Sequence, residues 1–524
     1  MNDASPVRTL PTHRAQTWQL RKPGAAGKNG MVVSQSRVAA EIGAEVLRAG
    51  GNAVDAALAT AFAVAVVEPW NSGLGGIGHA LIHPAGAAEA EQCDFGPVAP
   101  GSLDPAQFKL TGRMTTDLFA WPEVEGDKNI HGPLSIVANA TPAGYAAIHK
   151  KHGRMPLGEI VAPAVALAKK GLPIDWYASL KIASSARNLR RYPESARIYL
   201  PDGLPPAPPY MGAIPTIVQG RLADTLAVIA ADGVEPIYRG DIAVSIAADM
   251  KDLGGVLNRA DLEAVAPVWR KVLKIPHRGH VIQGASAMTA GPTMARVLEQ
   301  LAKAPYGKAP DAGWYAALAK ALHDAYAERL SGMGSGNLGH TTHITAADKD
   351  GMMVAMTTTL MSSFGSCVAL PGSGIMMNNG VMWFDPRPGT PNGLAPGKRP
   401  LTNMCPVIAL KDGKPVLAGG ASGGRKILAS VVQMLGFVLD FAMTPEDAGH
   451  QPRIDVSSLN GTTADPRLGE AVIAALRAVG PVTLAEHVVL PGNYANPNVI
   501  LREADGTLAG MSDTMIPWSG AVAA

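Results

Sequence analysis

Cysteine is scarce in this chain of 524 residues, and the few that are present are poorly placed for pairing. Cys93, Cys367 and Cys405 are odd in number and far apart, which argues against a disulfide framework and against a Cys-x-x-Cys metal or redox site. No histidine pairs with Cys405 in a recognisable catalytic pattern, so we interpret that residue as a small buried apolar side chain. We expect a reducing compartment and hence a cytoplasmic location.

Excess charge of one sign is also missing, because 45 Lys and Arg residues stand against 43 Asp and Glu residues. A balance of this kind gives no electrostatic basis for binding nucleic acid or an anionic membrane surface. The partner that we expect is instead a small neutral or zwitterionic molecule.

Long apolar runs are absent as well. The longest, at residues 56–67, has about twelve residues where a membrane span needs about 20, so we predict a buried helix there and no membrane partner. The amino terminus lacks the apolar run of a secretory signal and is rich in Pro and Gly. We interpret residues 1–30 as a mobile lead-in to the folded part of the chain.

Helix and strand signals alternate through the rest of the chain, whose hydrophobic content of 47% allows a large core. Ser36 can cap a helix that ends before the glycines at positions 50 and 51. A second helix begins near Asn52 and is apolar nearly all round, which places it in the core. Short strands prevail from Thr341 onward, so we place a boundary near residue 340.

The stretch "TTHITAADKDGMMVAMTTTL" predicts a β-hairpin directly after that boundary. Its first half alternates as a strand does, "DG" fits a two-residue turn, and the return strand carries three threonines. Counting outward from such a turn sets Thr342 opposite Thr359 and Thr341 opposite Leu360. The pattern therefore predicts that the first and last threonines of the hairpin are neighbours.

The chemistry of threonine suggests a catalytic role for this arrangement. Its hydroxyl is a weak nucleophile, and one solution is a threonine at a chain start, whose own α-amine acts as the base. The segment "SGMGSGNLGH" is flexible by composition and ends in His340, so a cut before Thr341 is geometrically feasible. Thr359 would then orient the Thr341 hydroxyl. The simpler alternatives are a plain linker and threonines that are present for strand propensity.

At this point the chain resembles the γ-glutamyltranspeptidase family of N-terminal-nucleophile hydrolases along nearly its whole length. The resemblance implies an α/β fold, a four-layer αββα sandwich, made as one chain that its own nucleophile splits. We therefore expect a large-subunit part at residues 31–340 and a small-subunit part at 341–524, intertwined in one unit, with no cofactor and no metal. Besides the hairpin, the segments that carry the resemblance are "GGNAVDAALA", "VVEPWNSGLGGIG", "PGSGIMMNN", "PGKRPLTNMCPVIALKDGKPVLAGGASGG" and "PEDAGHQPRID".

The resemblance also implies roles for individual residues. Thr341 is the nucleophile and the new amino terminus, and Thr359 is the supporting hydroxyl. Gly423 and Gly424 match the paired glycines whose backbone N–H groups form the oxyanion hole. Glycine suits that role because no side chain obstructs the approach of a tetrahedral intermediate. Taken alone, such a glycine cluster is more often a tight turn.

The chain departs from the family where γ-glutamyl groups are recognised. The arginine that grips the α-carboxylate is replaced by Gly96, and the asparagine two positions after the supporting threonine is replaced by Met361. The pair that reads the amino group is replaced by Gly380 and Trp383. Each charge-assisted contact is worth about 1.5–3 kcal/mol, so the loss of two predicts roughly a hundredfold weaker γ-glutamyl binding or worse.

Further changes leave the substrate open. The serine pair of the family has become Thr402 and Asn403, and Met382 makes the predicted pocket more apolar. Arg425 or Arg387 could supply a substitute anion contact, although either is more often a surface charge. A γ-glutamyl amide such as glutathione is the family default, and a different small amide, of the oxamate or acylase type, is the alternative.

Two other hypotheses complete the sequence-based picture. His340 and His343 have His-x-x-His spacing, but residues three apart on a strand point to opposite faces, which argues against a metal site. A non-catalytic protein that binds a small molecule is the alternative from another class, and the retained threonines and glycines argue against it. Association of two processed heterodimers into a homo-oligomer is left open.

Overall fold

The structure is a computed structural model that describes residues 20–114, 122–333, 340–457, 460–490 and 492–524. The strands in these residues are β1 (Ala25–Gly27), β2 (Gly30–Ser34), β3 (Ile77–His83), β4 (Glu91–Phe95), β5 (Leu110–Met114), β6 (Pro122–Val124), β7 (Leu172–Pro173), β8 (Thr216–Ile217), β9 (Val268–Lys271), β10 (Leu273–His277), β11 (His280–Gly284), β12 (His340–Asp348), β13 (Met353–Met361), β14 (Val407–Lys411), β15 (Lys414–Ser422), β16 (Ile454–Asp455), β17 (Thr462–Ala464), β18 (Val482–Leu484), β19 (Asn496–Arg502), β20 (Leu508–Ser512) and β21 (Gly520–Ala523).

Along the sequence, most α-helices of the described residues fall between strands of the two large sheets. They are α1 (Arg37–Arg48), α2 (Ala53–Val67), α3 (Thr141–His152), α4 (Leu157–Lys170), α5 (Trp176–Leu189), α6 (Pro193–Tyr199), α7 (Gly220–Asp232), α8 (Glu235–Tyr238), α9 (Asp241–Asp252), α10 (Arg259–Glu263), α11 (Gly291–Lys303), α12 (Ala312–Met333), α13 (Lys426–Leu435), α14 (Pro445–His450) and α15 (Glu470–Val479).

Two seven-stranded antiparallel sheets form the centre of the molecule. One has the order β21-β2-β12-β13-β3-β4-β9, and the other has the order β1-β20-β19-β15-β14-β11-β10. Strands from before and after residue 340 are neighbours in both sheets, since β12 pairs with β2 and β11 pairs with β14. Neither part of the chain therefore completes a sheet alone.

Helices cover the outer faces of both sheets and produce four layers. A first core lies between the β12-containing sheet and helices that include α1 and α2, and a second lies between the β15-containing sheet and helices that include α11, α12 and α13. A smaller third core, with Met31, Ile408 and Ile500 among its members, lies between the two sheets. The structure is thus the αββα sandwich that the resemblance implies.

The first two helices form as their sequences predict. Ser36 caps α1 by accepting a hydrogen bond from the Ala39 N–H at 3.4 Å. Asn52 and Asp55 form a reciprocal capping box at the start of α2. Every residue of α2 is buried, in agreement with its nearly continuous apolar sequence.

The predicted mobile lead-in is partly wrong. Residues 1–19 lie outside the described residues, but Ala25–Gly27 form an edge strand paired with β20, and β2 begins at Gly30. The ammonium of Lys22 also donates to the Asp513 carbonyl at 2.9 Å. The polar, Gly-rich composition of this segment hid its role because an edge strand needs backbone pairing more than apolar side chains.

The hairpin prediction is right in kind and wrong in register. Ala347 pairs with Met353 and Thr342 pairs with Thr358, one position short of the expected Thr359. The turn is longer than two residues because the Asp348 carboxylate accepts the backbone N–H groups of residues 350 and 352. An irregularity between His340 and Thr342 then restores the offset, and it falls at the nucleophile candidate.

Two smaller observations bear on the composition-based expectations. Within the described part of the chain, no helix is both long and apolar enough to cross a bilayer. All three cysteines are buried and free, and burial raises the pKa of the Cys405 thiol to about 12. Cys405 is therefore an unreactive thiol, as interpreted from the sequence.

Candidate active site

Thr341 lies at the irregular start of β12, where the chain has just entered the central sheet. Its hydroxyl donates to Thr359 Oγ1 at 3.3 Å, and Thr359 Oγ1 also accepts the Met361 N–H at 2.8 Å. Thr341 is 5% exposed and Thr359 is fully buried. A bulge re-aims a side chain relative to a regular strand, which explains how Thr341 reaches Thr359 although the regular pairing is Thr342 with Thr358.

Met361 ends β13 in an unusual backbone conformation. Its φ is +88°, a value that an unbranched but bulky residue adopts only at a cost of about 1–3 kcal/mol. Just before this unusual residue conformation, the Met361 N–H donates to the Thr359 hydroxyl. Its side chain is fully buried in the first core. Met361 therefore positions Thr359 through its backbone.

Gly423 and Gly424 form the turn between β15 and α13. Both have positive φ, +133° and +61°. A Cβ at Gly423 would lie 2.9 Å from Ala495, so the site requires glycine for space as well as for conformation. Among the described residues, neither glycine N–H donates a backbone hydrogen bond outside regular elements. The two N–H groups are thus available to an oxyanion at the amino-terminal end of α13.

A cavity of about 210 Å³ brings Thr341 and Gly423 together. The nucleophile candidate stands at the start of β12 in one sheet, and the glycine turn follows the end of β15 in the other, so the cavity lies where the ends of two interior strands meet. Its polar lining includes Gln35, Asn71, Lys181, Ser422, Lys426 and Asn496, and its apolar lining includes Val489, Leu490 and Met515.

A chain of side-chain hydrogen bonds crosses the wall of this cavity. The Asn71 amide donates to Gln35 Oε1 at 3.2 Å, and the Gln35 amide donates to the Ser422 hydroxyl. The Asn496 amide donates to the same hydroxyl at 3.3 Å. At its other end, the backbone carbonyl of Asn71 accepts the N–H of Leu360, the neighbour of Thr359. The chain thus links the threonine pair to the residue before Gly423.

Lys181 lines this cavity, and the buried carboxyl of Glu68 interacts electrostatically with its ammonium. Burial raises the pKa of the Glu68 carboxyl to about 7, against the opposing effects of Thr342, Asn71 and Lys181. Burial also lowers the pKa of the Lys181 ammonium to about 8, although Glu68 partly offsets this change. The cost of desolvation therefore exceeds the attraction between the two groups.

The predicted glutamyl-recognition residues are only partly brought together. Gly96 lines a second cavity, also about 210 Å³, with Arg399. The Gly96 N–H donates to Asp94 Oδ1 at 2.9 Å, and Asp94 pairs with Arg270 and Arg399. Gly96 is thus beside a satisfied ion cluster and is not part of the lining around Thr341.

Thr402 and Asn403 are held by a buried arginine at the end of α12. The Arg329 guanidinium donates to the Thr402 carbonyl at 2.7 Å and to Asn403 Oδ1 at 3.4 Å. Burial lowers the Arg329 pKa to about 10. Arg329 therefore fixes the segment 402–403 against α12, a role that sequence reasoning missed.

The remaining candidates do not line the Thr341 cavity. Trp383 is buried in the first core on a short 3₁₀ turn. Arg425 donates to the Ser457 carbonyl at 3.1 Å, and Arg387 pairs with Asp385 at 2.6 Å. The anion contact expected of Arg425 or Arg387 therefore stays a prediction, and the lysines that line this cavity are Lys181 and Lys426.

The two histidines that flank the threonines have different environments. His343 is fully buried between the sheets, where its Nδ1 is hydrogen-bonded to Thr357 Oγ1 at 2.8 Å. Burial lowers its pKa to about 3, so the ring is neutral. The side chain of His340 lies outside the described residues. Within the described residues, no cluster of His, Cys, Asp and Glu is arranged to hold a metal ion.

The residues that sequence reasoning missed include Gln35, Glu68, Asn71 and Lys181. Glu68 and Asn71 stand in "EPWNS", a segment that carries the family resemblance, so a signal existed for them. Gln35 and Lys181 had none, because no local pattern relates them to Thr341.

Together, the αββα sandwich, the threonine at the head of a central strand and the opposing glycine turn define an N-terminal-nucleophile hydrolase. The sequence model of the family described as "Gamma-glutamyltranspeptidase" matches residues 39–337 and 331–517. The chain therefore belongs to the γ-glutamyltranspeptidase family, and it is an enzyme of the hydrolase and transferase type.

Relatives of two kinds match nearly the whole chain. "Acylase ACY 1 proenzyme" of Pseudomonas sp. (strain SE83) is 29% identical over 96% of this chain and 95% of its own length. "Glutathione hydrolase proenzyme" of Escherichia coli (strain K12) is also 29% identical, over 93% of this chain and 90% of its own length. Both are named as proenzymes.

Solved structures support the fold. Cephalosporin acylase from Bacillus halodurans superposes with a TM-score of 0.84 over 98% of this chain and 99% of its own, at 24% identity. γ-Glutamyltranspeptidase of Helicobacter pylori is 30% identical, with a TM-score of 0.52 over 60% of this chain and 86% of its own. The predicted fold is confirmed by both.

Proposed function

We propose that the chain cuts itself between His340 and Thr341, and that the freed Thr341 then hydrolyses or transfers the acyl group of an amide substrate. The observation that carries this proposal is the hydroxyl pair of Thr341 and Thr359, 3.3 Å apart, in a cavity that also contains Gly423. The proenzyme names of the relatives support the same reading.

Self-cleavage begins with attack of Thr341 Oγ1 on the carbonyl carbon of His340. The C–N bond breaks as the C–O bond forms, which gives an ester and releases the α-amine of Thr341. Water then opens the ester, so that His340 ends in a carboxylate and Thr341 begins a new chain. Thr359 orients the attacking hydroxyl, and its own acceptor position is fixed by the Met361 N–H.

Turnover uses the same atoms with an external amide. The α-amine accepts the proton of the Thr341 hydroxyl, whose oxygen attacks the substrate carbonyl. The N–H groups of Gly423 and Gly424 stabilise the oxyanion of the tetrahedral intermediate. The amine product leaves with the proton, and water or an acceptor amine releases the acyl group from Thr341.

The processed pieces are expected to stay together. Strands from both pieces are neighbours in both large sheets, and residues 345–348 of β12 pair with β2. Separation would expose the first and third cores and break these ladders. The product of cleavage is therefore a heterodimer of a large and a small subunit.

Two classes of acyl group are candidates for the substrate. A γ-glutamyl amide is the family default and is named in the glutathione hydrolase relatives. The acylase class is favoured by a specific observation: none of the described residues that line the Thr341 cavity is an Asp or Glu that could face the glutamyl ammonium group. We propose the acylase class as the second candidate.

Intact-mass spectrometry of the purified protein is the first test. We expect two chains, one ending at His340 and one beginning at Thr341, and a single chain for Thr341→Ala. A γ-glutamyl anilide and a simple acyl anilide are then compared as substrates. A Thr341→Ala chain that is still cut at this position would refute the proposal, as would an uncut parent chain that hydrolyses neither anilide.

A further inference from the structure

Lys181 brings an incompletely neutralised positive charge to the cavity of Thr341. It lies one helical turn after Tyr177 on α5, and both residues line the cavity. Its Nζ is 5.2 Å from the centroid of the Tyr177 ring. Glu68 acts on the ammonium electrostatically, but no carboxylate of the described residues forms an ion pair with it. The charge is therefore available to a ligand.

The rest of the cavity is suited to an anion. No described lining residue is acidic, whereas Asn71 and Asn496 contribute amide groups. The second lysine of the lining, Lys426, already donates to the Gly492 carbonyl at 2.9 Å. Lys181 is thus the cation with the least complete set of partners near the proposed nucleophile.

The surroundings of Lys181 also strengthen its contact with an anionic partner relative to the same contact in water. Lys181 is partly buried against Tyr177, and burial lowers its pKa to about 8. A carboxylate that entered the cavity would restore part of the solvation that the ammonium lost on folding. Such charge-assisted contacts are shorter and stronger than neutral hydrogen bonds.

We propose that Lys181 is a specificity-determining residue that binds a carboxylate carried by the amide substrate, beside the scissile bond at Thr341. This inference rests on the proposed function, because it names the substrate class of the same site. It assigns the anion contact to α5, and not to the arginines that the sequence indicated. The carboxylate belongs either to the acyl group or to the amine group, and both are carboxylate-bearing amides.

Matched chromogenic amides test the inference through turnover. Glutaryl and pentanoyl p-nitroanilides differ in a carboxylate on the acyl side, and the pentanoyl amides of 4-aminobenzoate and aniline differ in one on the amine side. We expect kcat/KM to favour the carboxylate in one of these pairs by about 10- to 100-fold, mainly through KM. In Lys181→Met the ratio should fall to within about twofold of unity, and Lys181→Arg should restore much of it.

Lys303→Met is the matched control, because it removes the same charge from an exposed lysine on α11 that pairs with Glu299. It should leave every ratio unchanged. An enzyme that prefers carboxylate-bearing amides equally with and without Lys181 would overturn the inference and leave the proposed function standing. A parent enzyme whose kcat/KM values are equal within each pair would do the same.

Direct binding separates the two proposals further. Glutarate is titrated calorimetrically into the uncut Thr341→Ala chain, with and without Lys181→Met, so that no catalysis is needed. We expect at least about tenfold weaker binding without Lys181. Absent or equal binding would overturn the inference even for an active enzyme. An inert, uncut parent chain would overturn the proposed function, and the titration would still decide the role of Lys181.

Discussion

The side-chain amide of Gln35 donates to the hydroxyl of Ser422 and so joins the two sheets beside the proposed nucleophile. Gln35 follows β2 in the sheet of Thr341, and Ser422 ends β15 directly before the glycine turn. Asn71 extends the link to Leu360, next to Thr359. Because catalysis needs the hydroxyl pair and the glycine N–H groups in fixed relative positions, Gln35 has the contacts of a positioning residue.

Replacement of Gln35 by alanine should therefore lower kcat by about 10- to 100-fold, since a small misplacement of the glycine turn weakens oxyanion stabilisation. KM should change little, because Gln35 acts through Ser422 and not on the scissile bond. Steady-state kinetics with the best anilide separate the two effects.

Gln219→Ala is the control, because it also removes a buried amide, one that donates to the Val66 carbonyl at 2.9 Å. It should lower stability without lowering kcat. A loss of kcat as large as that of Gln35→Ala would show that any buried defect suffices.

Thr359→Val should slow both self-cleavage and turnover. The substitution keeps the shape and removes the acceptor at 3.3 Å from Thr341 Oγ1, together with the partner of the Met361 N–H. Loss of an orienting hydrogen bond predicts a decrease of about 10- to 100-fold in each rate. Thr359→Ser, which keeps the hydroxyl, should retain most of both. Time-resolved gels report cleavage and an anilide assay reports turnover; unchanged rates in the valine variant would remove Thr359 from the mechanism.

Gly423→Ala should leave a folded but nearly inactive protein. A Cβ there would meet Ala495 at 2.9 Å and the residue has φ +133°, so the turn and its N–H groups must shift. Loss of one oxyanion donor predicts a decrease of about 100- to 1,000-fold in kcat. Gly220→Ala at the start of α7 is the control, because an added Cβ there meets no atom within 4 Å. Full activity of Gly423→Ala would place the oxyanion elsewhere.

Sequence reasoning recovers what depends on local pattern. The capped helices α1 and α2, the hairpin and the Thr341–Thr359 neighbourhood follow from periodicity, caps and turn signals. The exact hairpin register does not follow, because the Asp348 carboxylate lengthens the turn and a bulge at Thr341 compensates for it. The longer turn shifts the pairing by one residue, and the bulge shifts it back by one residue at the site. A simple count outward from the turn cannot anticipate either shift.

The parts that could not be predicted depend on contacts between distant segments. Gln35 and Ser422 are 387 positions apart, and only the packing of the two sheets brings them together. Lys181 stands on an ordinary amphipathic helix, so nothing in its neighbourhood marks it as a cavity residue. The sequence makes Arg425 a candidate anion contact, yet its guanidinium donates to the Ser457 carbonyl. Long-range geometry decides such cases.

Glu68 should give the stability of the folded chain a distinct pH dependence. Burial raises its pKa from 4.5 to about 7, so the folded state holds this proton more tightly than the unfolded state does. The stabilisation linked to the proton is complete below pH 4.5, is lost as the pH rises toward 7, and is absent above that value. The raised pKa corresponds to about 3 kcal/mol across this window.

Glu68→Gln should therefore remove that slope and make the variant relatively more stable at pH 8 than at pH 5, by about 2.5 kcal/mol when each is compared with its parent. Urea unfolding of the uncut Thr341→Ala chain measures this difference, because a single chain avoids subunit dissociation. Glu45→Gln, on an exposed position of α1, controls for the loss of one surface carboxylate. If the two variants show the same pH dependence, the Glu68 carboxyl is solvated or neutralised in the folded protein, and its burial beside Asn71 and Lys181 does not govern its ionisation.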